Sequence, residues 1–452
     1  MMRRKLLLVT VLLLLTGFLA ACGSGGETED IQALTVACVG IGREDDGSFS
    51  VPSLDEPIQQ FQEEHEGYQV VLTAYQRSAE AEEDELALLQ REIVSGEGPD
   101  VILFFGGYDM TDIVGGYTED LYSWLDEGWE EEYFENILDA FSYEGKLLAL
   151  PLSFTLKSIA VSEETAQNRS GWTMEELIDC YETAYEASGE ELLLYAGEIK
   201  KDVFALLLTA NLSDFVDWET GECQFESENF QKILEFANRF PEELNLADDF
   251  SIAQAYAEGK CLIYPVSLSS VYDIAVPEVY FGENVTFIGY PARDGNGTII
   301  SAGSLVVAIS ALSEQKEMAW EFISQFLEED YQSEKITYGF PISKTVLLEQ
   351  IEAALDIEYE EGSDGASTPV VKRKVSSELD GTIAEIYQIT ETQKEQLLQI
   401  IESVSKGTAF DSQLNSLILD ETQGYFAGEK TAEETMEVIQ SIAKMYVNEN
   451  LD

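Results

Sequence analysis

Residues 89–105 read LQREIVSGEGPDVILFF. The first part continues a pattern in which Leu86, Leu89 and Ile93 recur three and four residues apart, which predicts a helix over 79–94. SGEGPD then breaks the helix, because Gly and Pro cannot continue it. Val101 to Phe105 follows as five apolar residues without alternation, the signature of a strand covered on both faces. Working back towards the N-terminus, Tyr68 to Tyr75 (YQVVLTAY) reads as a strand. Leu54 to His65 reads as a helix with Ile58 and Phe61 on one face, and Leu34 to Val39 as another strand. Strands alternating with helices point to an α/β layer built on a parallel sheet.

Beyond the buried strand the alternation continues. Leu147 to Val161 carries a strand pair around Pro151. Trp172 to Tyr185 reads as a helix, with Thr173 as N-cap and Glu176 three residues on. Phe204 to Asn211, Phe225 to Phe240 and Ser251 to Glu258 have helical spacing, and Cys261 to Val266 that of a strand. Val285 to Tyr290 and Thr298 to Ile309 read as strands around the turn pairs Asp294-Gly295 and Asn296-Gly297. Lys316 to Glu329 is an amphipathic helix. From Ser343 onward the pattern is helical, interrupted by a polar loop from Glu358 to Pro369.

At 452 residues the chain is too long for one core, so two or three domains are expected. Its 87 acidic against 25 basic residues give a net charge of −62, a surface that repels nucleic acid and anionic headgroups. The single histidine, His65, lies in the polar stretch QEEHEGY and reads as a solvated residue at a helix end. It rules out a multi-histidine zinc site and leaves a serine or cysteine triad only this one base. No metal or cofactor is expected; Asp45 and Asp46 in the long loop after the first strand read as solvated rather than as cation ligands. Cys38, Cys180, Cys223 and Cys261 show no framework spacing.

The N-terminus has a basic head (Arg3, Arg4, Lys5), a mostly apolar run from Leu6 to Ala21, and then Cys22 followed by GSGGETED. The run is short for a membrane span, which takes about 20 residues, and suits a signal peptide over 1–21. Leu19-Ala20-Ala21-Cys22 resembles the lipobox of bacterial lipoproteins, which implies lipidation of Cys22 and a flexible tether over 22–32. Two acyl chains hold a protein at a membrane where one does not.

Several segments in order carry a wider resemblance: FQEEHEGYQVVL, LQREIVSGEGPDVILFF, GKLLALPLSF, IGYPARDGNGTIISAGSLVVAIS, AWEFISQFLEEDYQ, GFPIS and the closing YFAGEKTAEETMEVIQSIAKMYVNEN. Together the chain resembles the extracellular solute-binding proteins of ABC importers, the sugar-binding family 1 that includes maltose-binding protein. That resemblance implies a two-lobed α/β fold of the periplasmic-binding-protein type (type II), with hinge-connected lobes and a helical C-terminal region. Lobe 1 would hold 33–151 plus 300–345, and lobe 2 would hold 152–299 plus 346–452, with hinges near Pro151 and Ser301. It also implies a monomer on the extracellular face of the membrane that captures a carbohydrate and hands it to permease subunits, with no chemistry of its own. A surface glycoside hydrolase using a carboxylate pair, and a non-transport sensor or adhesin, are the competing readings.

A sugar presents C–H faces to aromatic planes and hydroxyls to polar groups, so its site should place both at strand ends. Phe104, Phe105, Tyr108 and Asp109 follow one strand end, and Phe154 and Thr155 follow the Pro151 crossing. Tyr264 and Tyr290 lie near others, and Ser301 and Gly303 fall where similar proteins bring backbone near the ligand. Phe105, Tyr108 and Phe154 are the expected stacking faces. Asp100 is as well suited to turn duty as to ligand contact. With this charge the solute is expected to be neutral.

Overall fold

The structure, a computed structural model, describes residues 31–42, 48–75, 85–106, 116–189, 191–218, 220–244, 250–293, 295, 297–361, 366–377, 381–404 and 412–449. Cys22, the tether up to residue 30, Asp45, Asp46, Tyr108 and Asp109 lie outside the described residues.

Two five-stranded sheets organise the chain. The first contains β1 (Gln32–Val39), β2 (Tyr68–Tyr75), β3 (Val101–Phe105), β4 (Leu150–Pro151) and, from much later in the sequence, a strand at Leu305–Ile309. The second is built around β5 (Ser153–Ser162). Both edges of this long strand are paired, by β6 (Tyr264–Leu268), β7 (Val285–Phe287), β8 (Ile299–Ala302) and a late strand at Phe340–Pro341. The late strand of the first sheet is therefore β9 (Leu305–Ile309), and that of the second is β10 (Phe340–Pro341).

In the first sheet the order is β2-β1-β3-β9-β4. β1 pairs in parallel with β2 and β3, as the βαβ pattern predicts. β9 runs antiparallel to both β3 and β4, so the sheet is mixed rather than wholly parallel. Val101 to Phe104 are fully buried because β3 lies between β1 and β9 and is covered on both faces. Asp100 pins this arrangement at the N-terminal end of β3. It accepts hydrogen bonds from the Thr35 amide (2.9 Å) and hydroxyl (2.7 Å) beside it on β1, and from the Ser313 hydroxyl (2.6 Å) beyond β9. This is turn duty, at the strand end opposite Phe105.

The helix Met174–Ala187 begins with the expected capping box: Thr173 accepts from the Glu176 amide and the Glu176 carboxylate accepts from the Thr173 amide. His65 forms the C-cap of the helix Asp55–Glu64, half-buried with its ring 4.6 Å from that of Phe61. All four described cysteines are free thiols.

Three expectations need correction. The strand predicted from Cys261 begins only at Tyr264, because Cys261 instead bridges to Leu193 outside the sheet. The reading of 298–309 as continuous strand divides at Gly303 into β8 and β9, which belong to different sheets. The polar interruption after Glu358 is more than a loop: Tyr359–Glu361 pairs with Ser367–Pro369, and Arg373–Ser377 pairs with Gly381–Ile386. The second hairpin buries Val375 and Ile386 against Tyr256 and Tyr280 of the second lobe.

Of the C-terminal helices, Ser412–Phe426 and Ala432–Glu449 pack into the core of the second sheet through Leu414, Ile418, Met436 and Ile439. The helix Glu391–Ser403 is tied in two directions. Its Gln396 amide donates to the Val285 carbonyl on β7 (2.7 Å), and its last carbonyls, those of Ile401 and Val404 just beyond, accept from Asn136 on the other side (2.8 and 2.9 Å).

Candidate functional site

Three stretches of chain pass between the sheets, and they lie side by side. The first is Pro151–Leu152–Ser153, where β4 becomes β5; the second is Ala302–Gly303–Ser304–Leu305, where β8 becomes β9. They are joined directly: the Gly303 amide donates to the Ser153 carbonyl (2.7 Å), and the Leu152 amide donates to the Leu305 carbonyl (3.0 Å). The third precedes and includes β10. The Ser153 hydroxyl donates to the Tyr338 carbonyl (3.0 Å), and the Ile342 amide donates to the Leu152 carbonyl (3.1 Å).

Gly303 is required here by space. A Cβ at this position would stand 2.0 Å from Ser153 Oγ and 3.0 Å from Ser153 Cβ. Gly339, beside the third crossing, has a φ of +86°, and its Cβ would meet the Phe154 carbonyl oxygen at 2.8 Å.

Around the crossings lie strand ends from both sheets. From the first come half-buried Phe105 at the end of β3 and Gly106, whose amide donates to the Ser304 carbonyl (3.1 Å). From the second comes the Ser269–Ser270 turn after β6, with the Ser269 carbonyl accepting from the Gly339 amide (3.1 Å). The buried Asp273 carboxylate holds this turn. It accepts from the Ser269 amide (2.9 Å), the Ser269 hydroxyl (3.1 Å) and the Ser270 amide (3.0 Å). Its other oxygen is 3.0 Å from the Nε of Arg373 on the second hairpin. Tyr338, 55% exposed, precedes Gly339 beside this turn.

The predicted residues divide on burial. Phe105 is half-buried at a strand end, and Ser301 is half-buried on β8 opposite Thr155. Phe154 is not a stacking face. It is fully buried, and its ring lies 5.5 Å from that of Phe340 across the β5–β10 pair. Phe104 is likewise fully buried inside the first sheet. Tyr290 belongs to the core of the second lobe, where burial pushes its phenol up to about 12, and Gly303 and Thr155 are buried. Tyr264 is half-buried and stacks on Tyr280 at 5.0 Å, with its phenol raised mainly by desolvation. Tyr338 and the Ser269–Ser270 turn were missed by the sequence reading. The signal for Tyr338 was available, since an aromatic followed by Gly immediately precedes the FPIS segment that forms the third crossing.

A mixed sheet and an antiparallel sheet are thus joined by adjacent crossings, with partly exposed groups from both at the junction. The profile of the family described as "Bacterial extracellular solute-binding protein" matches residues 56–358, most of the chain. The chain belongs to this family. Solved structures agree on the two-lobed fold. An extracellular solute-binding protein family 1 member from Alicyclobacillus acidocaldarius superposes with a TM-score of 0.55 at 12% identity, covering 93% of this chain and 100% of that one. A periplasmic oligogalacturonide binding protein from Yersinia enterocolitica gives 0.54 at 14% identity, with coverage of 93% and 100%. A cyclic alpha-maltosyl-1,6-maltose binding protein from Arthrobacter globiformis gives 0.50 at 14%, with coverage of 93% and 99%. At these identities the likeness establishes the fold. Among the described residues no helix is long and apolar enough to cross a membrane.

Proposed function

We propose that this solute-binding protein is a lipoprotein, anchored through Cys22, that captures a neutral sugar or oligosaccharide between its lobes and delivers it to an ABC permease without chemical change. The observation that carries the reading is the junction itself. Half-buried Phe105 ends a strand of the first sheet and exposed Tyr338 enters the third crossing, and the residues that follow them, Gly106 and Gly339, donate hydrogen bonds to the backbone carbonyls of Ser304 and Ser269. This is the mixture of flat apolar faces and neutral hydrogen-bonding groups that sugars require. Carbohydrate ligands named for two of the structural neighbours support the class, and the lipobox supports the anchor. Bending at Pro151–Ser153 and Ala302–Leu305 would let the lobes close on the solute, a shift whose size equals the closed form's better binding.

A thermal-shift screen against neutral mono- and oligosaccharides tests the solute class, because a ligand bound only by the folded chain raises apparent stability. Calorimetry on the hit then tests the site. Phe105→Ala and Tyr338→Ala should each weaken binding about fivefold or more, from the ~1 kcal/mol that a stacked ring contributes. Unchanged affinity in both variants refutes the placement, and tight binding of an anionic solute refutes the class. For the anchor, Cys22→Ser should release the protein from the membrane fraction.

A further inference from the structure

At the far end of β5 from the crossings, a cavity of about 590 Å³ opens between the helix Glu391–Ser403, β7 and the chain at 168–170. Thr286 on β7 pairs with Val161, eight residues along β5 from Ser153. Thr298, also on the wall, precedes Ile299, which pairs with Lys157, so the cavity lies roughly 15–25 Å from the crossings at the usual rise of a strand.

Its wall is unusual for this chain. Asn168, Thr286, Thr298, Gln396 and Gln399 supply amides and hydroxyls, and Phe287 supplies a half-buried ring. No carboxylate is found among the described residues that line it, in a protein with 87 acidic side chains. Its one cation, Arg169, is paired with Glu176 at 3.2 Å. Gln396 is the decisive group. Its amide nitrogen is committed to the Val285 carbonyl at 2.7 Å, while its Oε1 is buried with no hydrogen-bond partner in the protein. A buried acceptor of this kind needs a donor. The rim is also conformationally costly: Gln167 and Asn168 are consecutive non-glycine residues with φ of 52° and 63°. Behind it the backbone closes tightly, since a Cβ on Gly171 would stand 1.6 Å from the Gly295 carbonyl oxygen.

From this we infer a second binding site, separate from the interlobe cleft, for a small neutral polyhydroxylated solute such as a monosaccharide or polyol. Hydroxyl groups both donate and accept, as do the side-chain amides and threonines of the wall. A small turn of the Gln396 side chain towards the cavity would let one such hydroxyl satisfy its Oε1, and a C–H face would rest on Phe287. An anion finds no free cation here, and a cation finds no carboxylate. The volume falls within the range of small-molecule sites.

Ligand-observed NMR titrations with D-glucose, D-galactose and glycerol test the site on the full-length protein and on the cleft double variant Phe105→Ala/Tyr338→Ala. At least one probe should bind, with the same affinity in the cleft variant. Gln396→Met should remove that binding, and Gln399→Leu, an exposed change on the same helix that leaves folding intact, should weaken it about fivefold or more. The inference is overturned if none of the three probes binds. It is also overturned if the binding seen is lost in the cleft variant, or if it survives unchanged in both Gln396→Met and Gln399→Leu.

Discussion

Replacing Gly303 by alanine tests the junction most directly. The added Cβ would stand 2.0 Å from Ser153 Oγ, 3.0 Å from its Cβ and 3.1 Å from its carbonyl carbon. Ordinary carbon contacts are about 3.5–4.0 Å, so the first two crossings must separate or the serine must rotate. Separation strains the Gly303–Ser153 backbone bond of 2.7 Å; rotation breaks the Ser153–Tyr338 bond of 3.0 Å. Overpacking costs about 1–3 kcal/mol and the lost bond about 1 kcal/mol, so Gly303→Ala should destabilise by roughly 2–4 kcal/mol. At the sensitivity of domains of this size that lowers the thermal midpoint by about 5–10 °C. Calorimetric unfolding of Gly303→Ala, Ser153→Ala and the double variant completes the test. In the Ser153→Ala background the hydroxyl is gone and the contacts of 3.0 and 3.1 Å remain, so the glycine change should cost about 1 kcal/mol less. A Gly303→Ala protein within about 0.5 kcal/mol of wild type, or strictly additive variants, would refute the reasoning.

Further outcomes follow from burial. Phe154→Ala should cost about 3–5 kcal/mol in urea unfolding, the range for removing a fully buried phenylalanine; a stable variant with impaired sugar binding would restore Phe154 to the cleft. Burial lifts the Glu198 carboxyl from 4.5 to about 7, against the opposing amides of Tyr195 and Leu194. The folded chain therefore holds this proton more tightly than the unfolded one, so stability should fall as pH rises from 4.5 to about 7 and level off above. Glu198→Gln should then be more stable than wild type at pH 8, by about 1–3 kcal/mol, and close to it near pH 4.5; equal thermal midpoints at pH 8 would contradict this.

The first lobe was legible because its signals are local. VILFF has no polar alternation, and a run of that kind has few places to go other than the middle of a sheet. In the second lobe the Thr173–Glu176 box likewise announces its helix within four residues. Less legible was what depends on partners distant in sequence. Nothing near Leu305 says that it will lie between β3 and β4 and make the sheet mixed. Phe154 looked like a site residue because it follows a crossing, but β10 arrives from residue 340 and covers it. The same neighbour brings Tyr338, which local pattern alone would leave in a loop. Gly303 was singled out for backbone near a ligand, whereas its spatial need is the approach of Ser153, invisible without the fold. In the region after Glu358, polar composition concealed two hairpins whose few apolar residues, Val375 and Ile386, are buried only against the second lobe.

The position of β9 also governs the order in which the molecule can assemble. As the chain emerges from its N-terminal end, β1, β2 and β3 become available early, yet the strand that belongs beside β3 is about 200 residues further on. Until it arrives, one edge of VILFF has no partner, and an apolar unpaired edge is adhesive. Four strands of the second sheet, β5 to β8, come between, and β5 in turn waits for residue 341 to complete its pairing. Neither lobe can finish without the other, so the long-range closure that makes slow folders slow is built into this topology. The vulnerable interval of the chain's life is therefore the time between the appearance of Phe105 and that of Leu305.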